Sequence, residues 1–169
     1  MKYLIIFFIC ICVVQSATNT VGTSVPMTTK ATHIVVKKAE RKMMLYAKDK
    51  LLKTYSISLG GNPIGHKKQE GDSKTPEGNY TISHENAASR FHKSLKISYP
   101  NTMDCANAKN LGVSAGGDVM IHGLGKGFSF LGKLHTLQDW TLGCVAVTNE
   151  EIDEIWKMVD AGTPLQIDP

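Results

Sequence analysis

One pairing of side chains in this sequence is fit for covalent chemistry. Cys144 follows a glycine in Asp139–Asn149 (Asp-Trp-Thr-Leu-Gly-Cys-Val-Ala-Val-Thr-Asn), and His122 closes the apolar run of Val119–Gly123 (Val-Met-Ile-His-Gly). A thiol is the side chain most readily turned into a nucleophile near neutral pH when a base stands beside it. His122 is the candidate base, taking the thiol proton and later returning one to a leaving group. A glycine before the cysteine predicts a tight turn feeding a strand. Such a turn aims the N–H groups of Gly143 and Cys144 where negative charge would develop. The same two residues also fit a plainer account, a buried cysteine and a hydrogen-bonded histidine. Metal chemistries lack their residues: there is no His-Glu-x-x-His and no Cys-x-x-Cys. No metal or other cofactor is therefore expected.

These elements occur in a wider pattern. His122-Gly123 followed by Thr141-Leu142-Gly143-Cys144 resembles the signature of the L,D-transpeptidase catalytic domain (YkuD-type) family, a His-Gly and then Ser/Thr-x-Gly-Cys. Gly71–Tyr80, with Thr75-Pro76-Glu77-Gly78, is similar to a further family segment, and Ser98–Asn101 to another. The form Asp-Trp-Thr-x-Gly-Cys-x-Ala-Val-Thr-Asn resembles the YafK-like branch. Two positions depart from much of the family, which carries His at the Leu142 position and Arg at the Ala146 position.

The resemblance implies cysteine-dependent acyl transfer on peptidoglycan stem peptides, through an acyl-enzyme on Cys144. It leaves open hydrolysis by the same site, releasing a protein or peptide linked to peptidoglycan. It also leaves open a non-catalytic wall-binding module that keeps the fold. It implies that the Gly123 carbonyl fixes the His122 tautomer, that Gly143 and Thr141 support the turn, and that Ser89, Arg90 and His92 face the substrate cleft. With the arginine missing at Ala146, Arg90 is the expected replacement cation and Lys126 a weaker one.

The elements that must position these groups can be read along the chain. His33–Val36, Met43–Tyr46 and Leu51–Leu59 are strand signals, the last with Tyr55, Ile57 and Leu59 on one face. Gly60–Gly78 is a loop dense in Gly, Pro, Asp and Lys, leading into a strand at Asn79–Ser83. His84–Lys93 reads as polar and irregular, Ser94–Ser98 as a short strand, and Asp104–Leu111 as a short helix begun by Asp104. Asp118–His122 is the strand that ends in the histidine. Gly123–Gly132 holds four glycines around Phe128 and Phe130 and reads as a flap, with His135 exposed on the next connection. Glu150–Asp160 is an amphipathic helix capped by Thr148 or Asn149, with Ile152, Ile155, Trp156 and Val159 as its core stripe. Pro164–Ile167 is a last strand. Seven or so short strands with two helices give a mostly β fold, and the resemblance makes it a β-sandwich or small barrel.

The N-terminus and the charge bound the setting. Lys2 precedes an apolar run, Tyr3–Val14, which is short of the ~20 residues needed to cross a membrane. With Ser16 and Ala17 behind it, the run reads as a secretory signal peptide over residues 1–16, an uncleaved anchor being the alternative. Residues 17–31 read as a flexible linker and 32–169 as the catalytic domain. An exported protein without a stable membrane span follows, in the periplasm, the cell wall or the medium. The formal net charge of +4 comes from scattered lysines with no aromatic interleaving, which excludes a recognisable nucleic-acid module. Stem peptides or a wall-linked peptide are the expected partners. Oligomeric state is not readable. Cys105 and Cys144 remain after cleavage, and Cys105 is expected as a free, partly buried thiol rather than as half of a disulfide.

Overall fold

A computed structural model describes residues 29–169. The signal-peptide reading, and most of the linker, lie outside the described residues. Eight strands form one curled sheet, and the fold is mostly β as expected. They are β1 (His33–Lys37), β2 (Lys42–Ala47), β3 (Lys50–Ser56), β4 (Gly78–Ser89), β5 (His92–Ile97), β6 (Met120–His122), β7 (Val145–Ala146) and β8 (Pro164–Asp168). The order across the sheet is β3-β2-β1-β8-β4-β5-β6-β7. The β1–β8 and β6–β7 pairs are parallel and the others antiparallel. Beyond β3 the chain crosses to the far edge, where Ser58 and Ala146 exchange backbone hydrogen bonds of 3.0 and 2.9 Å. That bridge draws the two edges towards each other and curls the sheet into a half-barrel.

Alternation explains the strands. Ile34 and Val36, Met43 and Leu45, and Leu165 and Ile167 point into one core, and their neighbours face out. A register shift at Leu45/Tyr46 lets Leu52 and Tyr55, three apart, both reach that core. The long strand expected at Leu51–Leu59 accordingly stops at Ser56 and continues as irregular chain. His84–Lys93 is not irregular: β4 and β5 run through it as an antiparallel arm. Past Ile82 this arm leaves the core, so both its faces are polar and no alternation marks it.

The first helix, α1 (Thr102–Asn110), starts earlier than expected. Asn101 is its cap, accepting from Met103 and Asp104 N–H, while the Asp104 carboxylate returns a bond to Asn101 N–H. Asp104 therefore lies one turn inside. The second, α2 (Asn149–Met158), is capped by Thr148 and buries Ile152, Ile155 and Met158, with Trp156 partly covered. A third helical stretch, the 3-10 segment Ser129–Leu137, stands where a glycine-rich flap was expected. Cys105 is free but exposed on α1, not partly buried, because that helix covers only Asp104 and Ala108.

Candidate active site

The Asp139–Asn149 stretch fixes itself from both ends. The Asp139 carboxylate accepts from Arg41 in a two-pronged pair, with contacts of 2.7 to 3.1 Å, and from Leu59 N–H at 2.9 Å. Thr141 clamps the turn: its hydroxyl donates to the Cys144 carbonyl at 2.8 Å and accepts Gly143 N–H at 3.1 Å. Gly143 has φ +130, and a Cβ placed there would stand 2.5 Å from the Lys74 carbonyl oxygen. Three backbones converge at this point, since the Gly60 Cβ position is 3.1 Å from the Gly143 Cα. Downstream, Thr148 caps α2, and the Asn149 side chain accepts Leu124 N–H at 2.7 Å, tying the helix start to the chain that leaves His122.

Parallel pairing of β6 and β7 sets Ile121 beside Val145 and His122 beside Ala146. Strand alternation therefore puts His122 and Cys144 on one face, two residues apart along the ladder. The His122 Nδ1 lies 2.6 Å from the Gly123 carbonyl oxygen, which makes Nδ1 the protonated nitrogen and leaves Nε2 an acceptor. Phe91 stacks on the ring at 4.3 Å between centroids, and Trp140 meets it edge-on at 5.9 Å. The residue is 1% exposed. Burial, only partly opposed by the Gly123 carbonyl, pushes its pKa down to about 4, and His135 and Arg90 add to the fall. Burial likewise pushes the Cys144 thiol up; Met120 N–H opposes the shift and Asp118 adds to it. The thiol hydrogen is directed at the Asp118 carbonyl oxygen, 3.5 Å away. At neutral pH the pair is thus a neutral thiol beside a neutral imidazole, an arrangement suited to general-base attack rather than to a standing ion pair.

Beyond the Phe91 and Trp140 rings lies a cavity of about 960 Å³, lined by Ser89, Arg90, Phe128, Leu131 and His135 among others. Neither Cys144 nor His122 lines it; the two aromatic rings stand between. Arg90 reaches over Phe91, its guanidinium 4.7 Å from the ring centre, and Lys126 also lines the cavity. Ser89 and Arg90 are thereby brought to one side of the site. His92 is not: it turns to α2, where its Nε2 is 3.0 Å from Asp153 Oδ1.

His135 differs from its exposed expectation. It is buried, with Nδ1 3.1 Å from Ser58 Oγ, and its Nε2 has no partner among the described residues. The 3-10 segment folds this residue inward, which glycine content alone gave no means to foresee. The sequence reading also missed Lys67 and Asp72, which pair at 2.8 Å behind the Gly143 turn. For Asp72 the available signal was its place in the family-like Gly71–Tyr80 region; Lys67 lies four residues before that region and carried none. Among the described residues no cluster of His, Cys, Asp or Glu is placed to hold a metal ion, and no helix is long and apolar enough to cross a membrane.

A family model, YkuD, the L,D-transpeptidase catalytic domain, matches residues 31–167. The chain belongs to this family. Among L,D-transpeptidase relatives, YafK of Escherichia coli (strain K12), which carries that family's name, is 32% identical over 133 residues. The match takes in 75% of this chain and 46% of YafK, so the chain spans about half the length of the curated relatives it matches. Among solved structures, the helical cell shape determining protein Pgp2 of Campylobacter jejuni superposes with a TM-score of 0.58 at 23% identity, covering 82% of this chain and 48% of Pgp2. The L,D-transpeptidase of Xylanimonas cellulosilytica gives 0.51 at 12% identity, over 84% and 62%. At such identities the structures speak for the L,D-transpeptidase fold.

Proposed function

We propose that this chain is a cysteine acyltransferase of peptidoglycan stem peptides, working through an acyl-enzyme on Cys144. The observation that supports it best is the His122 ring, with Nδ1 committed to Gly123 and Nε2 left bare on the face that carries Cys144. In the first half-reaction the thiol turns from the Asp118 carbonyl, its proton passes from sulfur to His122 Nε2, and the sulfur attacks a peptide carbonyl. Gly143 N–H is already given to Thr141, so the Cys144 N–H is the donor left for the oxyanion. His122 then protonates the departing amine, and a thioester remains. An amine that takes the acyl group completes transfer; water completes hydrolysis. Arg90, at the cavity rim, meets a substrate carboxylate. The family's peptidoglycan chemistry and the name of the Pgp2 neighbour support a wall substrate, and such a substrate requires export by the N-terminal signal.

The experiment is incubation of the protein with a defined tetrapeptide stem, with and without a second stem as acceptor, read by mass. A thioester on the Cys144 peptide, absent from Cys144→Ala and retained in Cys105→Ser, is expected. The ratio of cross-linked to trimmed product separates transfer from hydrolysis. Full turnover by Cys144→Ala, or an adduct on Cys105, would sink the assignment.

A further inference from the structure

Against the Gly143–Cys144 turn stands a buried lysine. Lys67 is 3% exposed, and its Nζ lies 3.8 Å from the place a Cβ on Gly143 would take. An ammonium has three donors. Two are accounted for, one to Asp72 Oδ1 at 2.8 Å and one to the Gln69 carbonyl at 3.1 Å. No partner for the third occurs among the described residues. Asp72 does not depend on the lysine alone. Its two oxygens also accept N–H groups of Lys68, Gln69 and Lys74 at 2.8 to 3.1 Å. Burial works against this carboxylate, yet Lys67 and those three N–H groups hold it down to about 2. The negative charge is therefore largely answered by its own loop, and the ammonium is left as the uncompensated end of the pair.

We propose that Lys67 is a positioning residue whose fixed charge, set behind the turn, stabilises the anions formed there, first the Cys144 thiolate and then the tetrahedral oxyanion. This rests on Cys144 being the nucleophile. Three charged groups act on the sulfur from the packed elements around it, Asp118 before β6, Arg90 on the β4–β5 turn and Lys67, and His122 on β6 is the titratable group on its face. Asp118 is exposed and paired with Lys96 at 2.8 Å, and Arg90 is exposed over Phe91, so water screens both. Lys67 is screened least, and after burial and the Met120 N–H contact it is the first cation to favour the thiolate. It supplies from the loop a positive charge that the buried Ala146 cannot. The step it assists is balanced without a co-reactant: the S–H bond breaks, the proton passes to His122 Nε2, and the electron pair stays on sulfur.

The test is the pH dependence of Cys144 alkylation by iodoacetamide, followed on the Cys144 peptide by mass. Lys67→Gln keeps donors for Asp72 and Gln69 but no charge. It should alkylate about tenfold more slowly at pH 7.5, with its midpoint moved to higher pH, while Lys67→Arg restores most of the rate. Asp72→Asn should move the midpoint the other way, an opposite shift that a merely structural salt bridge cannot produce. If Lys67→Gln does not fold, Asp72→Asn decides alone. A wild-type profile in Lys67→Gln, or a midpoint raised or unmoved in Asp72→Asn, overturns the proposal. Alkylation needs no stem peptide, so a failure of the acyl-transfer reading shows separately, as loss of turnover in the wild type with the alkylation profile intact.

Discussion

Gly143 has no room for a side chain. Its φ of +130 and the Lys74 oxygen 2.5 Å from the would-be Cβ both oppose substitution. Gly143→Ala should cost roughly 2–4 kcal/mol of stability and most of the turnover, measured by urea denaturation and stem-peptide assay. A wild-type midpoint in that variant would show that the backbone crossing is soft. Ala146 tests the opposite intuition. Restoring the arginine common elsewhere in the family would place a cation at a fully buried position beside His122. Ala146→Arg is expected to lose several kcal/mol and soluble yield, not to gain activity. At this scale the sequence was legible where partners are neighbours in the chain. Gly143 with Cys144 and Thr148 with α2 could be read from spacing, and His122 with Gly123 followed from the family resemblance. Arg41 with Asp139, 98 positions apart, and Lys67 behind Gly143 could not, because nothing local marks a lysine that the fold will bury.

At the scale of elements, the connection between β3 and β4 has little regular structure, yet it walls the site. Its shape is imposed by Lys38, which is 2% exposed and donates to the Gly65 and Thr75 carbonyls and to Glu77 at 2.7 to 2.9 Å. Burial pushes the Lys38 pKa down, and Glu77 works against that, so the ammonium is kept by its partners. Lys38→Met leaves two carbonyls and a carboxylate unmet. It should lower Tm by several degrees and open the 64–77 segment to protease before the rest of the domain, a cleavage order that limited digestion reads directly. Digestion at the termini first, with this segment intact, would show that other contacts carry the loop. The β4–β5 arm was illegible for a related reason. Periodicity reports burial on one face, and an arm with solvent on both faces has none to report. Where one face is covered, as in β1, β2 and α2, the pattern and the element agree.

Over the whole molecule, acid should act in two stages. His122 titrates near 4 in the fold and near 6.5 when unfolded, and burial pushes His135 down as well. Between those values the unfolded chain binds protons that the fold refuses, so stability falls as pH drops from about 6.5 to 4, on the order of 3 kcal/mol for His122. Below 4 the loss continues through Asp72, Asp153 and Glu154, whose carboxyls are held below their ordinary range. Urea midpoints at pH 7.5, 5 and 3.5 check both stages, and a level midpoint from 7.5 to 4.5 contradicts the first.

The strand order carries one more consequence. β8 lies between β1 and β4, so within the sheet the ladder from β3-β2-β1 to β4-β5-β6-β7 is completed by residues 164–168. A growing chain cannot complete that ladder until the segment has left the ribosome. The thiol and its base, both on the later half, stand in a continuous sheet only once synthesis has passed residue 168. The closure of the sheet that carries the site is timed by the arrival of five residues that take no part in its chemistry.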